Sequence, residues 1–294
     1  MTLAVIDLGS NSLRMGVYQK TPDGIQMVHQ ERYPTRLSEG LSEDNLLKDI
    51  AMERTVSAFH ALKESIGTFS DCTVKCVATE ALRRAENADV FCNRVQKETG
   101  IRIEIIDGDS EARYGLYAAS LSAKTDSFYM LDTGGGSFEV VLCEKGALKG
   151  HTSLPYGAVV LTETFQPDQK GIDEIYPFVL SKMQEIPFVQ KNGYPIVLLG
   201  GSNRMIGNMY TLTHGIPWGD GVCVPCNAAK DIMRRITKTP LEKRLELVGM
   251  EKNRVDIITA GLMPLATLLQ CTNAEKLILS TNSIREGIAA ELLL

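Results

Sequence analysis

The chain opens on an apolar run, Leu3–Ile6, closed by an acid at Asp7, and this pattern predicts a first strand over Leu3–Asp7. A tight polar segment, Leu8-Gly9-Ser10-Asn11-Ser12, separates it from a second strand at Leu13–Gln19. A turn at Thr21-Pro22-Asp23-Gly24 leads to a third, Ile25–Glu31. The period then changes. Ser42 reads as an N-cap, and Leu46, Ile50, Val56, Phe59 and Leu62 recur at near-helical spacing as far as Ile66. Val74–Thr79 reads as a strand, Asn87 as the cap of a helix that stops at Gly100, Ile101–Ile106 as a strand, and Asp109 as the cap of a helix through Leu121.

From there the pattern restarts. Phe128–Asp132 is again an apolar strand closed by an acid, Thr133-Gly134-Gly135-Gly136-Ser137 is again a tight segment, and Phe138–Cys143 and Leu148–Leu154 are strands joined by the turn Glu144-Lys145-Gly146. An offset of 125 residues lays Asp7 on Asp132, Gly9 on Gly134 and Ser12 on Ser137. Two such openings, each heading one half of the chain, predict two similarly built α/β domains facing each other. The second half continues with helices over Gly157–Phe165 and near Ile172–Ile186, and a buried strand Ile196–Leu199 that runs into Gly200-Gly201-Ser202-Asn203 and a helix. Helices follow at Cys226–Thr237, Leu241–Val248 and Arg254–Gln270, then a strand Lys276–Thr281 and a helix Ser283–Leu294. The polar stretch Ser122–Ser127 marks the boundary, giving domains 1–124 and 125–294.

Composition narrows the function. A length of 294 residues favours two domains, and 44% hydrophobic content is ordinary for a globular protein. The formal net charge of −5 disfavours generic nucleic-acid binding, so an anion site has to be built locally from backbone N–H groups, a few arginines and a metal. The N-terminal residues show no signal-peptide pattern, and no apolar run approaches a membrane span. Seven scattered cysteines read as reduced thiols of a cytoplasmic protein. Cys223 and Cys226 form a lone CxxC without the second pair that a zinc site needs.

Five segments carry candidate chemistry. In Asp7-Leu8-Gly9-Ser10-Asn11-Ser12, the strand-end carboxylate is followed by a glycine that allows close approach and by successive N–H and hydroxyl groups able to cradle a phosphate; an ordinary Asn/Ser/Gly turn has the same composition. In Asp132-Thr133-Gly134-Gly135-Gly136-Ser137-Phe138-Glu139, three glycines strip the loop of side chains so that backbone can approach an anion; a flexible hairpin tip is the other reading. Strand pairing there brings Asp132 and Glu139 together as a candidate Mg²⁺ site. Glu111, in Gly108-Asp109-Ser110-Glu111-Ala112-Arg113, lies in a first helical turn after a strand, where it can activate water or simply complement the helix dipole. Arg83, in Thr79-Glu80-Ala81-Leu82-Arg83-Arg84, can fork onto phosphate oxygens or be a solvated cation. Gly200-Gly201-Ser202-Asn203-Arg204 can dock an anion or nucleotide, or serve close helix–strand packing.

These segments, with Leu154-Pro155-Tyr156-Gly157-Ala158 and Ser283-Ile284-Arg285-Glu286-Gly287, resemble the exopolyphosphatase and guanosine pentaphosphate phosphatase family of the actin, sugar kinase and heat-shock chaperone superfamily. The resemblance covers essentially the whole chain. It implies an α/β fold of two duplicated ribonuclease H-like (actin-like ATPase) domains with a cleft between them. It also implies a Mg²⁺-dependent exopolyphosphatase in which Glu111 activates water, Gly9, Ser10, Asn11, Ser12, Arg83, Gly134, Gly135, Gly136 and Ser137 hold phosphates, and Asp132, Glu139 and Asp7 serve the metal. The expected partners are polyphosphate or guanosine penta- and tetraphosphate, with no nucleic acid and no membrane, in a homodimer. Two positions depart from the family pattern: Ser110 replaces a usual acid, and Phe138 stands where Thr is common. The chain resembles the short form, without the additional helical domain of long members. Guanosine pentaphosphate hydrolysis uses the same residues and stays open. So do a kinase-like member, whose adenine pocket has only Gly200–Asn203 to draw on, and a non-catalytic sensor of phosphorylated nucleotides.

Overall fold

The computed structural model describes residues 2–22 and 24–294; the turn expected at Thr21–Gly24 includes Asp23, which lies outside them. The first half contains β1 (Thr2–Leu8), β2 (Leu13–Thr21), β3 (Gly24–Tyr33), α1 (Leu41–Asp44), α2 (Asp49–Ile66), β4 (Cys72–Ala78), α3 (Glu80–Arg84), α4 (Ala88–Thr99), β5 (Ile103–Ile105) and α5 (Gly108–Ala123). There follow β6 (Phe128–Thr133), β7 (Phe138–Glu144), β8 (Ala147–Leu154), α6 (Ala158–Phe165), α7 (Pro167–Lys170), α8 (Ile175–Gln184), β9 (Ile196–Leu199), α9 (Gly201–His214), β10 (Cys223–Pro225) and α10 (Cys226–Lys238). A 3-10 turn (Leu241–Glu246), α11 (Ile258–Gly261), α12 (Met263–Thr272), β11 (Lys276–Leu279) and α13 (Ile284–Leu293) complete the chain.

The duplication expected from the repeat is present in the sheets. The first sheet has the order β3-β2-β1-β4-β5; the second, β8-β7-β6-β9-β11-β10, follows the same plan with one extra strand. In each, an antiparallel meander of three strands continues into parallel strands. This is a duplicated ribonuclease H-like α/β fold.

Packing divides the chain into two compact units. One comprises the residues up to Tyr114 together with Ile284–Leu294, and the other is Gly115–Ser283. This differs from a single break at 124/125, and the reason is burial. In the first unit, β1 is apolar on both faces: Ala4, Ile6 and Leu8 pack with Phe59, Leu62 and Phe91 from α2 and α4, while Leu3 and Val5 need a second cover. Ile284, Ile288, Ala289 and Leu293 of α13 supply it. The helix approaches closely because residue 287 is glycine; a Cβ there would lie 2.6 Å from the Tyr114 carbonyl oxygen. Tyr18 donates to Glu286 Oε1 at 2.5 Å across the same face. Its burial and the neighbouring Glu286 carboxylate raise the phenol's pKa. In the second unit, Tyr129, Leu131, Phe138 and Val140 on β6 and β7 pack with α8, α9 and α12. Phe138 is fully buried, so its departure from the family pattern fills core volume.

Several element boundaries differ from expectation for local reasons. The helix expected from Ser42 to Ile66 is two helices, because Asn45 adopts left-handed φ of 57° and Asp44 Oδ1 accepts from Leu46 N–H at 3.0 Å. Asn87 stands at the N-cap position of α4 as expected, but its side chain makes no capping bond; its amide group bonds both the N–H and the C=O of Leu47, at 2.9 and 3.0 Å. The helix expected over Arg254–Gln270 is α11 and α12, with Pro264 at the start of the second, where a missing N–H is tolerated. Leu241–Glu246 is a 3-10 turn, and the edge strand β10 and the short helix α3 had no sequence counterpart. Among the described residues, no helix is long and apolar enough to cross a membrane.

Candidate functional site

In the first unit, β1 delivers Asp7 to a position directly opposite Arg14 on β2. The turn between them closes with Gly9 N–H donating to Ser12 C=O at 3.1 Å. The loop's carbonyls point into the protein: Ser10 C=O accepts from Ser38 N–H, and Asn11 C=O from Arg36 N–H, each at 3.1 Å. In a trans peptide the C=O and the following N–H point in opposite directions. The N–H groups of Asn11 and Ser12 are therefore turned to the other side. Ser10 and Ser12 are buried, and Ser12 Oγ accepts from Arg14 Nε at 3.0 Å.

The same unit brings Arg83 and Glu111 together. Val77 and Ala78 carry β4 into α3, and β5 leads into α5, so the two residues follow neighbouring parallel strands. Arg83 Nη1 donates to Glu111 Oε2 at 2.9 Å and to Ile106 C=O at 2.8 Å, while Nε and Nη2 reach Glu80 Oε2 at 3.1 and 3.0 Å. Burial opposes the guanidinium charge, but the carboxylates of Glu111 and Glu80 outweigh it and hold the Arg83 pKa above its usual value. Arg83 is thus a clamp on two carboxylates. Glu80, buried three residues before it, was missed; its signal was the i,i+3 spacing from Arg83. The cap of α5 is Asp107 rather than Asp109. Its Oδ1 accepts from Ser110 N–H at 2.8 Å, and bonds from the Ser110 backbone and side chain lower the Asp107 pKa.

The second unit repeats the loop with different supports. Gly134 N–H donates to Ser137 C=O at 3.0 Å, as Gly9 does to Ser12. Here the carbonyls meet the start of α6: Gly134 C=O accepts from Ala158 N–H at 2.9 Å, Gly135 C=O from Val159 N–H at 2.8 Å, and Gly136 C=O from Gly157 N–H at 3.0 Å. By the same peptide geometry, the N–H groups of Gly135, Gly136 and Ser137 face away from α6. The approach needs glycine at 157, where a Cβ would lie 2.5 Å from the backbone of Gly135.

Asp132 and Glu139 are direct cross-strand partners on β6 and β7. Glu139 is 2% exposed, and Ser153 Oγ donates to its Oε1 at 2.7 Å. Like charges placed opposite each other in an antiparallel pair repel. The pair suits a divalent cation, and Mg²⁺ commonly takes one or two carboxylates and completes its shell with water and phosphate oxygens. Among the described residues, no cluster of three or more His, Cys, Asp or Glu is arranged to hold a metal ion.

The remaining segment supports this loop. Gly200, at φ 78°, sits so close to β6 that a Cβ would lie 2.4 Å from Asp132 Oδ1. Asn203, fully buried, donates through Nδ2 to Leu131 C=O, Thr133 Oγ1 and Leu199 C=O, tying α9 to the strand that carries Asp132. Arg204 bonds the carbonyls of Ser280, Thr281 and Asn282. Gly201 lies under the Arg254 guanidinium, with a would-be Cβ 1.6 Å from its Nη2. The close-packing reading of Gly200–Arg204 therefore has direct support in these bonds.

A duplicated α/β fold whose two halves each open on an acid, a glycine turn and a backbone loop with its carbonyls held inward defines the class of protein. The chain matches the Ppx/GppA phosphatase family over residues 16–294, and it belongs to that family. Two curated relatives carry the name guanosine-5'-triphosphate,3'-diphosphate pyrophosphatase. The one from Photobacterium profundum is 25% identical, and the one from Pseudoalteromonas translucida 26%, each over 99% of this chain. The chain spans 59% of the length of each. Among solved structures, the Aquifex aeolicus member of the Ppx/GppA family superposes with a TM-score of 0.81 at 29% identity, covering 99% of this chain and 97% of that one. An exopolyphosphatase from Cytophaga hutchinsonii shares the fold, with a TM-score of 0.91 at 18% identity over 100% of this chain and 98% of that one.

Proposed function

We propose that this chain hydrolyses terminal phosphoanhydride bonds, releasing orthophosphate from inorganic polyphosphate in the presence of Mg²⁺. The observation that carries the reading is the half-buried Arg83–Glu111 pair, 2.9 Å apart, which holds one carboxylate oriented at the start of α5, in the same unit as the first glycine loop. Under this reading Glu111 takes a proton from the attacking water as its oxygen bonds the terminal phosphorus and the bond to the leaving phosphate chain breaks. Arg83 keeps the Glu111 carboxylate in place. The outward N–H groups of Asn11 and Ser12 donate to non-bridging phosphate oxygens, where negative charge gathers in the transition state, and those of Gly135, Gly136 and Ser137 are a donor set of the same kind in the second unit. Asp132 and Glu139 would hold Mg²⁺, whose bound charge neutralises phosphate oxygens. A second reading, removal of the terminal phosphate of guanosine pentaphosphate, is favoured by the names of the curated relatives.

The test is orthophosphate release, with Mg²⁺, from long polyphosphate, tripolyphosphate, guanosine pentaphosphate and ATP side by side. Release from polyphosphate that disappears in Glu111→Gln is the expected result. Release from guanosine pentaphosphate alone selects the second reading, and no release from any substrate ends both.

A further inference from the structure

The two glycine loops face the same structural problem: short, side-chain-poor segments have to be held still by their carbonyls. In the second unit the start of α6 does this directly. Among the described residues of the first unit, no helix start makes these bonds to the glycine loop. Its carbonyl partners are Arg36 N–H and Ser38 N–H, on a loop that itself needs support: Arg36 has a left-handed φ of 47°, unusual for a residue with a Cβ. Within it, Thr35 Oγ1 and, on the glycine loop, Asn11 Nδ2 are buried without a hydrogen-bond partner, so local bonding alone does not account for the arrangement. One side chain grips the loop from outside. Arg54 on α2 donates through Nε to Thr35 C=O and through Nη2 to Arg36 C=O at 3.2 Å, while the same Nη2 meets Glu39 Oε2 at 2.9 Å.

We propose that Arg54 is a positioning residue for the first glycine loop: by forking onto the Thr35 and Arg36 carbonyls it fixes the strained loop whose N–H groups hold Ser10 and Asn11, the counterpart of α6 in the second unit. The inference rests on reading that loop as a phosphate cradle. A lysine retains the charge of Arg54 but cannot span two carbonyls as a planar fork does.

The experiment compares wild type, Arg54→Lys and Glu39→Gln by calorimetric binding of inorganic tripolyphosphate with Mg²⁺ and by hydrogen exchange at the Arg36 and Ser38 amides. R54K is expected to weaken tripolyphosphate binding by about tenfold and to speed exchange at both amides. E39Q, which loses only the exposed ion pair, is expected to match wild type. Arg54→Gln replaces R54K if that variant does not fold. Wild-type exchange at both amides in R54K, or unchanged binding, overturns the inference. If wild type binds tripolyphosphate but hydrolyses nothing, the hydrolysis reading falls and the binding and exchange results still decide the role of Arg54. If it does not bind, the cradle reading falls and with it the inference.

Discussion

The hairpins at Asp7–Arg14 and Asp132–Glu139 share a backbone and differ in charge. Both close with a glycine N–H on a serine carbonyl three residues on, and both turn the loop carbonyls into the protein. Opposite Asp7, however, stands a cation, Arg14, whereas opposite Asp132 stands a second carboxylate, Glu139. The first hairpin is electrically balanced within itself. The second sets two carboxylates opposite each other, that of Glu139 buried, so like charges meet there. The supports differ as well: an irregular loop gripped by Arg54 holds the first, and a helix terminus packed at glycine contact distance holds the second. Duplication thus preserved the geometry of the backbone while the charges opposite each acid and the supports of each loop came to differ.

The largest effect should come from the carboxylate that Arg83 holds in the unit of the first hairpin. Glu111→Gln is expected to lower orthophosphate release by about 10²–10⁴-fold while leaving tripolyphosphate binding intact; turnover near wild type would separate the first unit from the chemistry altogether. The difference in supports predicts unequal tolerance to a methyl group. Gly157→Ala drives a Cβ into the Gly135 backbone and should destabilise the protein by about 1–3 kcal/mol in thermal melts. Gly9→Ala meets only Ser12 C=O, at 3.5 Å, and should shift stability by no more than about 0.5 kcal/mol. Equal losses in the two variants would show that both loops are packed alike.

The charge difference is tested by Glu139→Gln, which keeps an acceptor for Ser153 and removes the repulsion. In metal-free buffer this variant should be more stable than wild type by about 0.2–1 kcal/mol, and added Mg²⁺ should no longer raise its melting temperature. A wild-type protein whose melting ignores Mg²⁺ would break the comparison at its centre. The smallest effect concerns the cap of the helix that carries Glu111. The Asp107 carboxyl has a lowered pKa in the folded protein, so its stabilisation is present above the unfolded value, about 3.9, and is lost as pH falls below it. Asp107→Asn should therefore flatten the acid limb of the melting curve, and amide exchange at Ser110 should report the change locally.

Much of this could be read from the chain before its structure. The Asp7–Ser12 and Asp132–Ser137 hairpins, the order of the strands around them and the duplication are local matters, set by apolar runs closed by acids and by glycine at the turns. The family follows from the same segments. The observed division, Gly115–Ser283 against the rest rather than a single break at 124/125, did not follow from pattern alone. Only burial of Leu3 and Val5 assigns α13 to the first unit, and no local pattern reports which sheet face a distant helix will cover. Arg83 shows the same limit at the site: its sequence is compatible with a phosphate fork, yet the fold places Glu80, Ile106 C=O and Glu111 around it, and a guanidinium takes the acceptors that tertiary contacts bring within reach. Arg54 left no trace in the pattern, since its partners are backbone carbonyls, which every residue carries. Periodicity and turn chemistry thus determine the two glycine hairpins, while the side chains that hold them are decided by which surfaces meet in three dimensions.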